Sequence, residues 1–583
     1  MTTDAHIMLN EATPFAWQEF DSASSESSAR TAEDAQLSLQ HSSLAYLVED
    51  GAGITFNASK TRKQGLNPQD THLTAKGLYS NLVDGKLTRQ NKLLSQQYLI
   101  GKLQAVQQME SDLPTGIDSI SAWIEHNNEQ VGQQYRQYLD ARKSGAARRF
   151  FTTKAHALNF LRCVAPTKLV DGAWLYGFTR QWDDARFSAL TRIYLEELGE
   201  GMPDKNHVTL YKKLLSDNQC GQWEVLPEQY FIQGAIQLAL GYNTEEFMPE
   251  AIGFNLGYEQ LPLHLLITAY ELNELGIDPY YFTLHVTVDN ASTGHARQSL
   301  QALMDSMPMA ADRQAFMQRV VDGYKLNQLG LCTTDIISSF DLQQEFIDIL
   351  ATKSTYGKNM HSDYCRINGR TVNEWLSDKA LIPQFIDSLV DKQWIVRHQD
   401  PQESRFWKLL QSEKAEMFGV FNAYELQVIY DWIAGDALDH GERRDDEKDA
   451  ANASTFPPRQ YSFRMNQQRA TLNNQTGKNR ASDTKSPVEN KLRERRLSAR
   501  TTAYSTNDDH YQPFDPDVSK LQETIATMQD RDDILHLLVG FLSPAMHHTP
   551  VGLLATRLYI AMLDGSARFS PSQKSLISMS DAH

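Results

Sequence analysis

Cysteine is scarce in this chain of 583 residues: Cys163, Cys220, Cys332 and Cys365 are the four it has. No two of them form a CxxC pair, which excludes a cysteine-rich zinc module and leaves no disulfide framework. Long hydrophobic runs are missing too. The most apolar stretches, such as 261–269, are short and interrupted, well under the ~18 residues that a membrane span needs. Basic charge is outweighed, with Lys and Arg at 56 against Asp and Glu at 73 and a formal net charge of −17. That balance denies the basic footprint of a nucleic-acid binder. No P-loop, GxGxxG or GxSxG is present, so no nucleotide-binding or serine-hydrolase signature can be read. The opening MTTDAHIMLNEATPF has neither a basic n-region nor an apolar h-region, and no secretion signal is expected. The expectation is a cytoplasmic protein with reduced thiols, bound to neither nucleic acid nor membrane.

What is present is mostly helical patterning. Residues 1–85 are rich in Ser, Thr, Asp, Gln and Asn, with SASSESSAR at 22–30, and read as a flexible extension. Residues 86–365 carry helical periodicity with few prolines, which predicts an all-α bundle. Residues 366–438 read as a smaller helical unit, winged-helix-like in outline but without a basic face. Between 439 and 515 large aliphatics nearly vanish among charge, Asn, Ser and Thr. Such a segment cannot bury enough surface to offset its ordering entropy, and a disordered linker is expected. Residues 516–583 return to amphipathic helix, and a C-terminal hairpin docking on the body is expected.

Three segments place Glu, Asp and His inside apolar helical patterns. YLEELGEGMPDKNHVTLYKKLL holds Glu196, Glu197, Glu200 and His207. NLGYEQLPLHLLITAYEL holds Glu259, His264 and Glu271. YYFTLHVTVDNASTGHARQSLQAL holds His285, Asp289 and His295. Carboxylates with imidazoles suit iron in oxygen chemistry, and helical bundles build such sites from facing helices. His285 and Asp289 are four apart and share a helical face amid Phe282, Leu284, Val286 and Val288. Buried polar groups need partners, and a metal would supply one for each; a His–Asp hydrogen bond that only holds the core is the competing reading. In the first segment Gly199, Gly201 and Pro203 interrupt the helix, so spacing does not choose between Glu197 and Glu200 as the partner of His207. Trp174 and Tyr258 could line a substrate pocket, although aromatics there are more often core. His547 and His548, in SPAMHHTPVGL, more often belong to packing than to a metal site.

APTKLVDGAWLYGF, EELGEGMPDKNH, NLGYEQLPLHLL and HVTVDNASTGHA, in that order, resemble the iron-containing redox enzymes of the haem-oxygenase-like diiron oxidase superfamily. WIVRHQDPQESRFWKLL and SPAMHHTPVGLLATRLY extend the resemblance to its long-chain branch. The resemblance implies a haem-oxygenase-like helical bundle without haem, with extra N-terminal and C-terminal helical segments. Its cofactors would be two iron ions cycling between Fe(II) and Fe(III), with O2 as co-substrate. The implied metal ligands are Asp171 on the first core helix, Glu197 and His207 (spaced Glu-x9-His), Glu259, His285, Asp289 and His295. Glu197 would bridge, with His207, His295 and Asp171 on one iron and Glu259, His285 and Asp289 on the other. Two departures stand out. Asp171 occupies a position where many relatives have Glu, and Ser292 stands where many have the final His. His295 lies six residues after Asp289, so a regular helix would turn it away unless the backbone unwinds near Gly294.

The functional expectation is a non-haem diiron oxygenase or oxidase acting on a small amine- or amino-acid-derived substrate in a biosynthetic pathway. N-oxygenation, desaturation and C–C cleavage are all open, as is a homodimer. A mononuclear-iron or cofactor-independent oxidase on the same bundle is one alternative. A non-catalytic helical scaffold is another, disfavoured by so many ionisable groups in apolar contexts.

Overall fold

The computed structural model describes residues 74–85, 87–288, 294–411, 415–435 and 516–565, with side chains as far as 286 in the second stretch. The linker expected at 439–515 and residues 1–73 of the expected extension lie outside the described residues. All the described residues belong to one compact unit.

Among the described residues the regular structure is almost all helix. The N-terminal part runs through α1 (Ala75–Val83), α2 (Arg89–Val106), α3 (Ile117–Lys143) and α4 (Lys154–Lys168). A 3₁₀ stretch, Ala173–Gln181, leads to α5 (Ser188–Glu197), α6 (His207–Asn218), α7 (Ile232–Tyr242) and α8 (Met248–Tyr258). There follow α9 (Leu263–Glu274), α10 (Tyr280–Val288), α11 (His295–Asp305) and α12 (Arg313–Lys325). Two flanking helices, α13 (Thr333–Ser338) and α14 (Leu342–Gly357), precede a hairpin of β1 (Arg366–Ile367) and β2 (Arg370–Thr371). Then come α15 (Val372–Leu376), α16 (Ile382–Asp391), α17 (Arg405–Lys408) and α18 (Ala423–Ala434). The C-terminal set is α19 (Pro516–Thr527), α20 (Arg531–Phe541) and α21 (Pro550–Leu563).

Local chemistry explains many of the boundaries. Thr74, Thr88, Thr153, Asn206, Asp341, Asn422, Asp530 and Thr549 each accept a backbone N–H from the first turn of the helix they open, satisfying donors that would otherwise be orphaned. Helix therefore begins earlier than expected at the N-terminal side. Residues 75–83, read above as part of a flexible extension, form a capped helix that buries Leu78, Tyr79 and Leu82 against α7. Their one-face spacing was diluted by the polar stretch before them. The 366–435 region is not set apart from the bundle either. Tyr424 on α18 donates to Glu345 at 2.8 Å, and Asp431 accepts the Ala155 N–H at 2.7 Å. Its strands are two residues each, too short for a wing. The C-terminal hairpin is three helices, because Asp530 caps a new one after a break.

Close helix contact depends on glycine. A Cβ on Gly253 of α8 would lie 1.8 Å from the Val320 carbonyl of α12, and one on Gly323 of α12 would lie 2.1 Å from the Glu250 carbonyl. We expect Gly253→Ala to destabilise the protein by about 3 kcal/mol, since the clash with backbone exceeds the ~1 kcal/mol that alanine gains in a helix. Gly101→Ala on α2, where the added carbon meets nothing within 4 Å, should instead raise the urea midpoint slightly. Equal behaviour of the two variants would refute this account of the α8–α12 contact.

Candidate metal centre

Six of the seven expected ligands converge. Asp171, Glu197, His207 and His285 form one buried group, and Glu197, Glu259 and His295 a second; within each, one donor atom per residue lies within 4.8 Å of the others. Glu197 belongs to both. Asp289 lies outside the described residues.

The elements that deliver these side chains are irregular where the chemistry is. Asp171 sits in the turn after α4, not on the helix, and is followed by Gly172 at φ 77. Gly172 is also needed for space, since a Cβ there would lie 2.9 Å from Glu197 Cβ. Glu197 ends α5, and His207 is the first residue of α6, just after its cap Asn206. Between them Gly199, Glu200 and Gly201 all have positive φ, a conformation costly for most side chains. This settles the choice left open by spacing: Glu200 turns outward to Arg192 at 3.6 Å and is 43% exposed, whereas Glu197 is 3% exposed. Glu259 caps the C-terminus of α8. The helix bearing His285 does not continue to His295; a new helix starts there, with Gly294 as its cap. His295 is thereby turned inward and fully buried.

The grouping differs from that implied by the resemblance, because His285 and His295 exchange places. His285 Nε2 is 3.1 Å from Asp171 Oδ2, and its ring packs on that of His207 at 4.4 Å. Its Nδ1 is 2.9 Å from the Tyr281 carbonyl, an acceptor only, so Nδ1 donates there and Nε2 is the nitrogen that faces the centre. His295 Nδ1 is 3.0 Å from Glu259 and 3.5 Å from Glu197, while Nε2 is 3.0 Å from Glu196. An outer carboxylate that takes the far N–H of a histidine is the usual support for a ligating ring.

Several supporting roles escaped the sequence reading, which offered Tyr258 and Trp174 only as possible pocket walls. Tyr281 donates to Asp171 Oδ2 at 2.5 Å, Tyr258 to its Oδ1 at 3.3 Å, and Lys168 Nζ lies 3.7 Å away. Lys168 also donates to Tyr258 at 3.2 Å. The signal was available in principle, since Lys168 is three before Asp171 and Tyr281 four before His285. Trp174 donates to Asn255, Asn255 to Ser299 and Ser299 to the His295 carbonyl, at 2.8, 2.7 and 2.7 Å. Trp174 is thus part of the frame that holds His295 as well as a neighbour of the pocket.

Charge is distributed unevenly over these groups. Burial would push the Asp171 carboxyl up, but Lys168, His207 and His285 outweigh it and hold it well below the usual carboxylate range. Burial acts likewise on Glu197, and His207 pulls it down. Burial disfavours the His207 cation, yet Glu197 and Asp171 raise its pKa to about 10. His207 Nδ1 nonetheless makes no hydrogen bond of ordinary geometry, although it lies against the Glu197 carboxylate. A buried imidazole nitrogen facing two carboxylates is an arrangement whose proton a metal ion can replace. The donor set of oxygen and imidazole nitrogen fits iron.

A cavity of about 310 Å³ opens on the centre and reaches Glu197, Glu259 and His285. Its walls include Phe160, Val164, Leu265, Phe282 and Ile336, with Lys168, Trp174, Tyr258 and His264 as polar or aromatic edges. Burial, with Lys168 nearby, lowers the His264 pKa to about 4 and keeps that ring neutral.

His207 gives the metal-free protein a defined pH response. Its folded value near 10 lies above the ordinary 6.5, so its contribution is fully present below 6.5 and lost as pH rises through 10. Asp171 and Glu197 are depressed, and their contributions change only in acid. In chelator, the unfolding midpoint should therefore fall more steeply from pH 7 to 10 in the wild type than in His207→Gln. Parallel profiles would contradict the ion pair.

No curated protein and no solved structure matches the chain. Residues 158–328, which contain every candidate ligand, match the family described as iron-containing redox enzyme. Over that segment the chain is similar to the haem-oxygenase-like iron-containing redox enzymes.

Proposed function

We propose that the protein is a non-haem diiron oxygenase or oxidase whose irons share Glu197. One iron would be held by Asp171, Glu197, His207 and His285, the other by Glu197, Glu259 and His295. The single observation that carries this reading is the presence of Glu197 in both buried donor groups, the arrangement a bridging carboxylate requires. Each histidine of the centre faces a carboxylate oxygen, which favours ions over a haem slot.

Bound iron would supply the electrons that reduce dioxygen and the oxidising power that acts on the substrate. The chain's own residues do the rest. Tyr281, through its hydroxyl on Asp171 and its carbonyl on His285, fixes two ligands at once. Glu196 accepts a hydrogen bond from Nε2–H of His295 and so leaves Nδ1 directed inward. Phe160, Val164, Leu265 and Phe282 keep the cavity dry beside the ligands, where stray water would compete for open positions. Lys168 holds a positive charge at the cavity edge, raised against burial by Asp171 and Tyr258.

The substrate we infer is a small amine- or amino-acid-derived molecule. A cavity of this size takes a small molecule, an ammonium on Lys168 suits a substrate carboxylate, and neutral His264 adds no repulsion to an amine. N-oxygenation, desaturation or C–C cleavage would each use the same centre.

Anaerobic titration should show about two ferrous ions bound per chain, the number that these donor groups can satisfy, with an absorbance change on exposure to oxygen. His285→Ala and His295→Ala should each bring the stoichiometry towards one, by removing different irons. A plateau at one in the wild type would favour a mononuclear centre, and no binding would revive the scaffold reading.

A further inference from the structure

The loop between Glu197 and His207 is tied at both ends by one side chain. Asn206 is fully buried, and its amide nitrogen donates to the Leu198 carbonyl at 3.1 Å. Its amide oxygen accepts from the Thr209 N–H at 3.0 Å and the Thr209 hydroxyl at 3.1 Å. Leu198 follows Glu197 directly, and Asn206 precedes His207 directly. One amide therefore sets the distance between the residues that adjoin the two ligands.

The second proton of that amide leaves the loop. The amide nitrogen donates it to Nδ1 of His547, 3.1 Å away, in the turn between α20 and α21. With this bond all the hydrogen-bonding capacity of Asn206 is used. His547 is 1% exposed, and a Cβ on Gly552 would come within 2.6 Å of its Cα, so the turn is held closely against α21. The same helices brace the loop elsewhere. Arg557 donates to the Gly201 carbonyl at 2.6 Å, and a Cβ on Gly201 would lie 2.5 Å from the Leu553 carbonyl. The loop's run of positive φ at Gly199, Glu200 and Gly201 is a conformation that the backbone holds only when its surroundings impose it.

We propose that His547 is a positioning residue for the metal centre: through Asn206 it locks the loop that spaces Glu197 and His207, which makes the C-terminal helices a working part of the site. The inference rests on the reading of Glu197 and His207 as ligands. His547 touches no reacting atom. It acts by accepting one hydrogen bond, and it would do so whichever substrate the centre oxidises.

The test uses the full-length chain, with cobalt(II) as an anaerobic spectroscopic probe and hydrogen exchange of 198–209 as an independent readout. His547→Gln and His547→Asn are the informative pair. An asparagine oxygen falls near the place of Nδ1 and can accept from Asn206, whereas a glutamine oxygen falls nearer Nε2 and cannot. His547→Gln should lower cobalt affinity about tenfold or more, as loss of a ligand-orienting partner does, alter the ligand-field bands and speed exchange in the loop. His547→Asn should restore all three. Tyr559→Phe removes another buried anchor of α21, the 2.8 Å bond to the Thr179 carbonyl, without touching the loop. It should lower the melting temperature and leave cobalt affinity unchanged. Wild-type affinity in His547→Gln, or an equal loss in Tyr559→Phe, would overturn the proposal. A wild type that binds no cobalt, while loop exchange still responds to His547→Gln, would overturn the metal reading and leave only a structural clamp.

Discussion

Asp171, Glu197 and Glu259 place three carboxylates among side chains that are otherwise mainly apolar, each less than 5% exposed. Taking a carboxylate out of water costs several kcal/mol unless partners replace the lost hydration. That constraint organises the middle of the molecule. Lys168, Tyr258, Tyr281 and the three histidines are all positioned to meet those oxygens. Without a metal the arrangement is held by protons and one ammonium; with metal, the same oxygens and nitrogens become ligands, and the proton that His207 holds in the metal-free protein must leave. The bundle is built so that one set of side chains serves both states.

Irregular backbone surrounds this centre and regular helix lies outside it. Gly172 lets Glu197 approach Asp171, and the positive-φ run after Glu197 turns the chain so that His207 can open the next helix facing inward. Gly294 caps a fresh helix and points His295 at Glu259. Farther away the glycines do different work, admitting α12 against α8 at backbone contact. The C-terminal helices add a further brace through Tyr194, whose hydroxyl donates to the Leu542 carbonyl at 2.6 Å, and through Tyr559 on Thr179.

Much of this could be read from residues in order. Helix followed from periodicity and from the scarcity of proline, and the segments singled out for their Glu, Asp and His supply residues that the fold brings together. The errors have physical causes. The helix at 75–83 was hidden because one turn of apolar spacing carries little weight beside a long polar run. Asp171 was placed on the first core helix by the resemblance, while the chain leaves that helix at Leu169. Lys168 and Tyr281 stand at helical spacing from Asp171 and His285, but single lysines and tyrosines are too common for such spacing to mark them; contact with the Asp171 carboxylate makes them part of the centre.

By itself, then, the order of residues pointed to an all-α bundle and to the stretches rich in Glu, Asp and His, because periodicity and motif spacing are local properties, while the resemblance supplied the candidate ligands. Which histidine faces which carboxylate was decided only by the tertiary structure. His285 and His295 exchange the partners that the resemblance implied, since a new helix starts at His295 after the Gly294 cap. The choice of Glu197 over Glu200 was of the same kind: the two lie three positions apart, and a left-handed turn at Glu200 sends one to solvent and leaves the other beside Asp171. Such choices depend on backbone hand and on packing between distant elements, and neither is written in the spacing of residues along the chain.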